Sequence, residues 1–583
     1  MSKAPAYTLI GPDGLPHPSD TPGALGGHRR ARIYGRLDCP SALRAIATGR
    51  YVEHRVFFAD EETARSAGYR PCGTCMRDDY KVWRAEQLDR IRRPAVTNGG
   101  GADAAASPGI DAAELDTVLR VLDQLDSLPT DHPDAVAIQR ATSRLYKSVK
   151  IRRRAEKRAA IEVNDDAVTA TTATAAPDRI DDETTGLPLL SSAAGATAGT
   201  LILPRACYVC KRRFTQVDAF YHQLCPTCAA KNHAKRDART DLTGRRALLT
   251  GGRAKIGMYI ALRLLRDGAA TTITTRFPRD AARRFAAMPD SDQWLDRLCI
   301  VGIDLRNPGQ VVSLADSVAE RGPLDILINN ACQTVRRSVD AYAPLVEAER
   351  APLPDGPLPE LVALDHTGGQ AATKALTDGA GRHWKPTPDA LAALALTAGS
   401  ASAQRVTTGE AIDAGGLVPD LHHSNSWVQH VDQVDPKELL EVQLCNMTAP
   451  FILVSRLRPA LAAALARRKY VVNVSAMEGQ FSRGYKGPGH PHTNMAKAAL
   501  NMLTRTSAQE MLERDGILMT SVDTGWITDE RPHPQKMRLA DEGFHAPLDL
   551  VDGAARVYDP VVRGEAGEDL FGCFLKDYEV GAW

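Results

Sequence analysis

Four cysteines stand as two close pairs, Cys207-x-x-Cys210 and Cys225-x-x-Cys228, with fourteen residues between the pairs. Each pair sets two thiolates on one tight turn, and two such turns complete a tetrahedron around Zn²⁺ with no position left open. A closed site of this kind is structural, folding a segment too short to fold alone. A second group, Cys39, Cys72 and Cys75, precedes it, while Cys299, Cys332, Cys445 and Cys573 stand singly. Two clusters followed by single thiols read as two metal modules followed by a domain without metal. Further on, the run Thr250-Gly251-Gly252-Arg253-Ala254-Lys255-Ile256-Gly257 ends a β-rich stretch and opens an amphipathic one. A glycine turn between strand and helix aims backbone N–H groups and the positive helix end at a pyrophosphate.

The elements that must hold this turn follow it. From Arg245 onward, short runs (RRALLT, ATTITT, LCIVGID, LDILINN, YVVNVS, ILMTSVD) alternate with amphipathic stretches such as GMYIALRLLRDG. Short buried strands alternating with helices predict a parallel sheet covered on both faces. The second run ends in Thr275 and Arg276, where readers of an unphosphorylated ribose carry an acid. An arginine there suits a 2′-phosphate, and Arg253 can add a second contact, so NADP is expected over NAD.

Together the turn and the strand pattern resemble the short-chain dehydrogenase/reductase family across about residues 241–583. The resemblance implies a Rossmann-type, doubly wound parallel sheet. It places Asp304, beside Leu305, at the adenine ring, and Asn330 and Ala331 of the Asn329-Asn330-Ala331 element against the cofactor. Lys255 stands where a glycine is expected. The family's chemistry rests on a serine, a tyrosine and a lysine aided by an asparagine, and the matching positions are Ser475, Thr493, Lys497 and Asn446. The tyrosine is therefore replaced by Thr493, whose hydroxyl is far too weakly acidic to do a phenol's work. The stretch before Thr493 is longer than the resemblance implies and contains Tyr485, His490 and His492. Tyr485 or one of these histidines is expected to replace the phenol; otherwise the site has no general acid. In DTGWITDERP, Thr524, Trp526 and Thr528 are expected near the nicotinamide end.

The amino-terminal stretch, above all Ala67-Gly68-Tyr69-Arg70-Pro71-Cys72-Gly73-Thr74-Cys75, resembles the metal-binding domain of the Ada family of DNA alkylation-repair proteins over roughly residues 28–83. The resemblance implies that Cys39, Cys72 and Cys75 are zinc ligands. Its methyl-accepting cysteine falls on Gly35, which has no side chain to methylate, so repair by that route is excluded. His54 or His28 can supply the fourth ligand; Asp38 is a poorer donor.

The chain of 583 residues divides by composition into an Ada-like module (1–92), a linker (93–200), a four-cysteine module (201–236) and the Rossmann domain (237–583), with an insertion at about 338–432. Within the linker, Thr97–Gly109 and Ala167–Thr200 are low in complexity, and about 112–160 reads as helix interrupted near Pro129 and Pro133. That helix carries Lys147, Lys150, Arg152, Arg153, Arg154, Lys157 and Arg158, which read as a solvated face or an acidic-protein dock before a phosphate-binding one. Net charge is +1, so no global field selects a polyanion. No apolar run approaches the roughly 20 residues that span a bilayer, and no apolar leader is present, so a cytoplasmic protein with reduced thiols is expected. The expectation is an NADP-dependent oxidoreductase of a carbonyl or alcohol, in a homo-oligomer. The alternative is a non-catalytic NADP-binding adaptor or sensor with zinc modules and possible nucleic-acid contact.

Overall fold

The structure, a computed structural model, describes residues 7–47, 54–80, 82–83, 110–176, 179, 195–337, 340–363, 417 and 422–583, apart from residues 13 and 126. The Thr97–Gly109 segment and most of the insertion at 338–432 lie outside the described residues. The chain forms two compact units, Met1–Val163 and Asn164–Trp583.

In the first unit a six-stranded sheet runs in the order Pro16–Ser19, Tyr7–Ile10, Arg55–Phe58, Leu25–His28, Ile33–Arg36, Arg70–Pro71. Its small core gathers Ile10, Tyr34, Val56, Phe58, Ala64, Ala67 and Tyr69. Helices span Ala112–Leu125 and Pro133–Ala170, so the break falls where Pro129 and Pro133 forbid helical hydrogen bonding. The apolar stripe of Ala112–Leu125 remains exposed. The second helix runs ten residues beyond Ala160, into the stretch read from composition as linker. There Asp165 accepts from the amides of Ile202 and Leu203 at 2.7 and 3.1 Å, and Val168 packs on Gly199. Tertiary partners override the weak helix propensity of the threonines.

The second unit is built on a nine-stranded sheet. Its strands are β1 (Arg246–Leu249), β2 (Ala270–Thr275), β3 (Leu298–Gly302), β4 (Ile326–Asn329), β5 (Glu360–Ala363), β6 (Lys469–Ser475), β7 (Ile517–Asp523), β8 (Phe574–Lys576) and β9 (Glu579–Gly581). Their order is β5-β3-β2-β1-β4-β6-β7-β8-β9, all neighbours parallel except β8 and β9. Order reverses at β1, which opens a crevice beyond the carboxyl ends of β1 and β4. Every residue of β4, β6 and β7 is buried, as a sheet covered on both faces requires. One face packs against α1 (Lys255–Arg266) and α7 (Leu550–Glu565); the other packs against α3 (Pro308–Glu320), α5 (Ala449–Ala462) and α6 (Pro491–Asp515), with α2 (Pro278–Ala286) and α4 (Pro436–Gln443) completing the helices used below. β5 comes from the insertion and pairs in parallel with β3.

The four-cysteine segment, with its hairpin (Thr197–Ala206, Arg213–Asp218) and helix Pro226–Arg236, docks on α7. Phe220, Tyr221, Leu224 and Ala229 share a core with Ile527, Leu548 and Leu550. Tyr221 donates to Asp552 at 2.6 Å, and fully buried Arg236 lies 2.6 Å from Asp549 and 3.1 Å from Asp552.

Candidate active site

The phosphate turn is held from behind. Thr250 Oγ1 accepts from the amides of Asn330 and Ala331, both at 3.0 Å, while Asn330 Nδ2 donates to the carbonyls of Thr250 and Gly251 at 3.0 and 3.2 Å. Glycine is demanded by close approach. A Cβ on Gly252 would lie 2.6 Å from Ile273, and one on Gly257 would lie 1.9 Å from the Gly251 carbonyl oxygen. Lys255 takes a left-handed φ of 52° at the first residue of α1, a conformation that costs a side-chain-bearing residue about 1–2 kcal/mol.

In front of the turn lies a cavity of about 1070 Å³. At one end are Gly251, Arg253, Lys255, Ile256 and Gly257, then Arg276, Asp304 and Leu305; at the other are Ser475, Thr493, Lys497, Thr524 and Thr528, with Asn330 and Ala331 between. The lining crosses the carboxyl edge of the sheet from β2 and β3 to β6 and β7. Arg276 lies over the rings of Phe277 and Tyr342, 5.7 and 5.2 Å from their centroids, and has no carboxylate within 4 Å among the described residues. Arg253, expected as a second phosphate contact, lines the cavity but is paired with Asp280 at 2.6 Å, a carboxylate it shares with Arg284 at 2.7 Å. Asp304 is engaged by Arg306 at 2.6 Å; burial opposes its ionisation, but Arg306 prevails and lowers its pKa. Its carboxylate is thus already committed in the place expected for adenine.

At the other end Asn446 sits in a π-helical turn, Leu444–Thr448, between α4 and α5. It stands behind the cavity wall, where its side chain accepts from the Gln333 amide at 2.7 Å and donates to the Gln333 carbonyl at 2.9 Å. A π turn redirects a side chain at a functional position. Lys497 Nζ donates to the Val474 carbonyl at 2.8 Å. The hydroxyls of Ser475 and Thr493 are sealed from solvent and find no hydrogen-bond partner. The candidates for a replacement phenol do not gather here. Tyr485 is 76% exposed and does not line the cavity. His490 stacks on Trp427 with centroids 4.0 Å apart, and its Nδ1 lies 2.9 Å from the Trp427 carbonyl. His492 is buried away from the cavity with both ring nitrogens unpartnered.

Two residues at this end carried no expectation of their own. Tyr208, inside the first cysteine pair, lines the cavity and accepts from the Trp526 amide at 2.9 Å. Asp523, the last residue of β7, also lines it. The repeated CxxC pairs were visible in sequence, but the reach of the residue between the thiols was not.

The cysteine clusters assemble. Cys207, Cys210, Cys225 and Cys228 bring their sulfurs within 4.8 Å of one another, and so do Cys39, Cys72 and Cys75. His54 does not join the second group: its ring lies 5.4 Å from that of His28, and its Nε2 is 3.4 Å from Arg30. The pairing of β-strands Leu25–His28 and Arg55–Phe58 places both histidines at one strand end, which directs them to each other. Gly35 faces the sulfurs, where a Cβ would meet Cys75 Sγ at 2.6 Å.

Residues 245–345 match the short chain dehydrogenase family. An uncharacterized protein of Acanthamoeba polyphaga mimivirus is 31% identical over 377 residues, 61% of this chain and 71% of the viral one. Residues 245–345 belong to the short-chain dehydrogenase family. Within that family the chain is similar to a probable oxidoreductase of Streptomyces antibioticus, 40% identical over 94 residues, which are 16% of this chain and 30% of the relative. Among solved structures, an NADPH-bound carbonyl reductase from chicken fatty liver is 18% identical, covering 59% of this chain and all of its own, with a TM-score of 0.35. RhlG of Pseudomonas aeruginosa, solved with NADP, is 19% identical, covering 57% of this chain and 94% of its own, also at 0.35. No described helix is long and apolar enough to cross a membrane.

Proposed function

We propose that this short-chain dehydrogenase is an NADP-dependent oxidoreductase acting on a small carbonyl or alcohol. The observation that carries the reading is the one continuous cavity, running from the glycine turn to Lys497 and Thr524. The amides of the turn and the start of α1 would hold the pyrophosphate, and Arg276 the 2′-phosphate. When bound, the dinucleotide supplies or accepts hydride. Lys497 and Asn446 place the wall around the reacting end, Lys497 through Val474 and Asn446 through Gln333. The closed four-cysteine cluster fits structural zinc. The three-cysteine cluster fits a zinc ion lacking a fourth protein ligand among the described residues.

Arg276→Ala is expected to weaken NADPH binding about tenfold or more, the worth of one charge-assisted contact, while leaving NADH binding unchanged. Fluorescence titration of both coenzymes checks it, and tighter binding of NADH by the unaltered protein would overturn the NADP assignment.

A second reading, a non-catalytic NADP-binding sensor, draws on the sealed hydroxyls of Ser475 and Thr493. NADPH consumption with a panel of aldehydes and ketones separates the two: binding without turnover favours the sensor.

A further inference from the structure

Asp523 ends β7 at the reacting end of the cavity, directly beside Ser475 of β6, to which it is registered as Cα partner. Residues in register on neighbouring parallel strands project from the same face, so the carboxyl stands next to the serine at the carboxyl edge of the sheet. It is 5% exposed, and no hydrogen-bond donor reaches its carboxylate among the described residues. A largely buried carboxyl with no donor at its oxygens gives up its proton less readily than one in water.

We infer that Asp523 is the proton donor and acceptor of this site, in the role that Thr493 cannot fill. The inference rests on the oxidoreductase reading above. In the reducing direction the O–H bond of the Asp523 carboxyl breaks and a new O–H bond forms at the substrate's carbonyl oxygen. The reduced nicotinamide dinucleotide provides the hydride to the carbonyl carbon, so one alcohol, one oxidised dinucleotide and one carboxylate result. Solvent then reprotonates the carboxylate.

The surroundings support a carboxyl poised near neutrality. Burial raises its pKa to about 6. Glu478, from the short turn after β6, and Asp577, from the β8–β9 turn, add repulsion; Lys576 and Arg556 of α7 oppose them. Both cations are partly committed elsewhere, Lys576 to the Met477 sulfur and Arg556 to Asp577 at 3.2 Å. Tyr208, from the cysteine pair, is a further titratable neighbour and is itself pushed up by burial.

The test uses the full-length protein, carbon-13 labelled at aspartate, and its Asp523→Asn variant. A carboxyl resonance titrating near pH 6 should vanish in the variant. In the unaltered protein NADP⁺, with its cationic ring, should lower that titration point, whereas NADPH should not. Reduction of a panel of benzaldehyde, acetophenone, cyclohexanone and diacetyl should fall above about pH 6, because the acid must be protonated. Asp523→Asn should lose that limb and roughly 10²- to 10⁴-fold in rate while binding NADPH within threefold of the unaltered protein. A variant that keeps both rate and pH limb, or a titration point indifferent to NADP⁺, overturns the assignment and leaves the oxidoreductase reading standing. If the unaltered protein binds neither coenzyme, that reading fails, and this inference fails with it.

Discussion

Residues at the phosphate turn are packed so closely that an added Cβ has no room. Gly257→Ala would drive a methyl into the Gly251 carbonyl, 1.9 Å from its Cβ, with no flexible side chain to yield. The expected outcome is a destabilisation of about 1–3 kcal/mol and loss of measurable NADPH binding; urea unfolding and coenzyme fluorescence read the two. The turn itself was legible, because two glycines between a strand and a helix, with a third in the helix's first turn, leave few other uses. The phenol's replacement was not. Tyr485, His490 and His492 were the acid–base candidates in the stretch before Thr493, yet the loop carries Tyr485 into solvent and stacks His490 on Trp427. Asp523 sits in ILMTSVD, where it looks like the end of an apolar run; only the register of β6 against β7 shows what stands beside it. The same holds for Arg253, whose turn position suggested phosphate and whose partner, Asp280, lies on α2, beyond the next strand.

At the scale of elements, the buried Arg236 links the helix of the cysteine segment to the start of α7. Both side chains of the Arg236–Asp549 pair are fully buried, and Asp552 is a second carboxylate against the same cation. Arg236→Met is therefore expected to cost about 3–5 kcal/mol, since it leaves two adjacent buried carboxylates uncompensated. Such a pair binds a proton more tightly folded than unfolded, so the variant's deficit should shrink as pH falls and grow as pH rises. Chemical denaturation at several pH values measures this. Sequence patterning anticipated β1 to β4, β6 and β7 because each is a short run of mainly apolar or β-branched residues. It missed β5, a four-residue strand within the insertion whose pairing with β3 supplies the order that ELVA alone does not announce. It also ended the long helix too early, because alanine and threonine composition says nothing about the amides of Ile202 and Leu203 that Asp165 receives.

Within the second unit the cysteine cluster and the Thr524–Thr528 end of the cavity are tied together by Tyr208. Tyr208 lies between Cys207 and Cys210 and carries the Trp526 amide on its hydroxyl. Cys225→Ser, which opens the cluster, should weaken NADPH binding about tenfold through the lost hydrogen bond and packing, besides lowering thermal stability. Coenzyme titration alongside zinc analysis checks it; unchanged affinity in a protein shown to have lost its metal would uncouple the two sites. The modular layout was readable from the clustering of cysteines. Their connection to the chemistry was not, since it depends on contacts between residues more than 300 apart in sequence, such as Tyr208 with Trp526.

That separation has a temporal side. Tyr221, Asn232 and Arg236 leave the ribosome long before Asp552, Arg556 and Asp549, the groups they meet. A nascent chain therefore carries an unmatched guanidinium and an uncovered aromatic patch until its last long helix emerges. Closing so distant a pair is also entropically slow. Maturation of this unit should accordingly be gated by completion of translation, and chaperone capture should peak on chains stalled before residue 549.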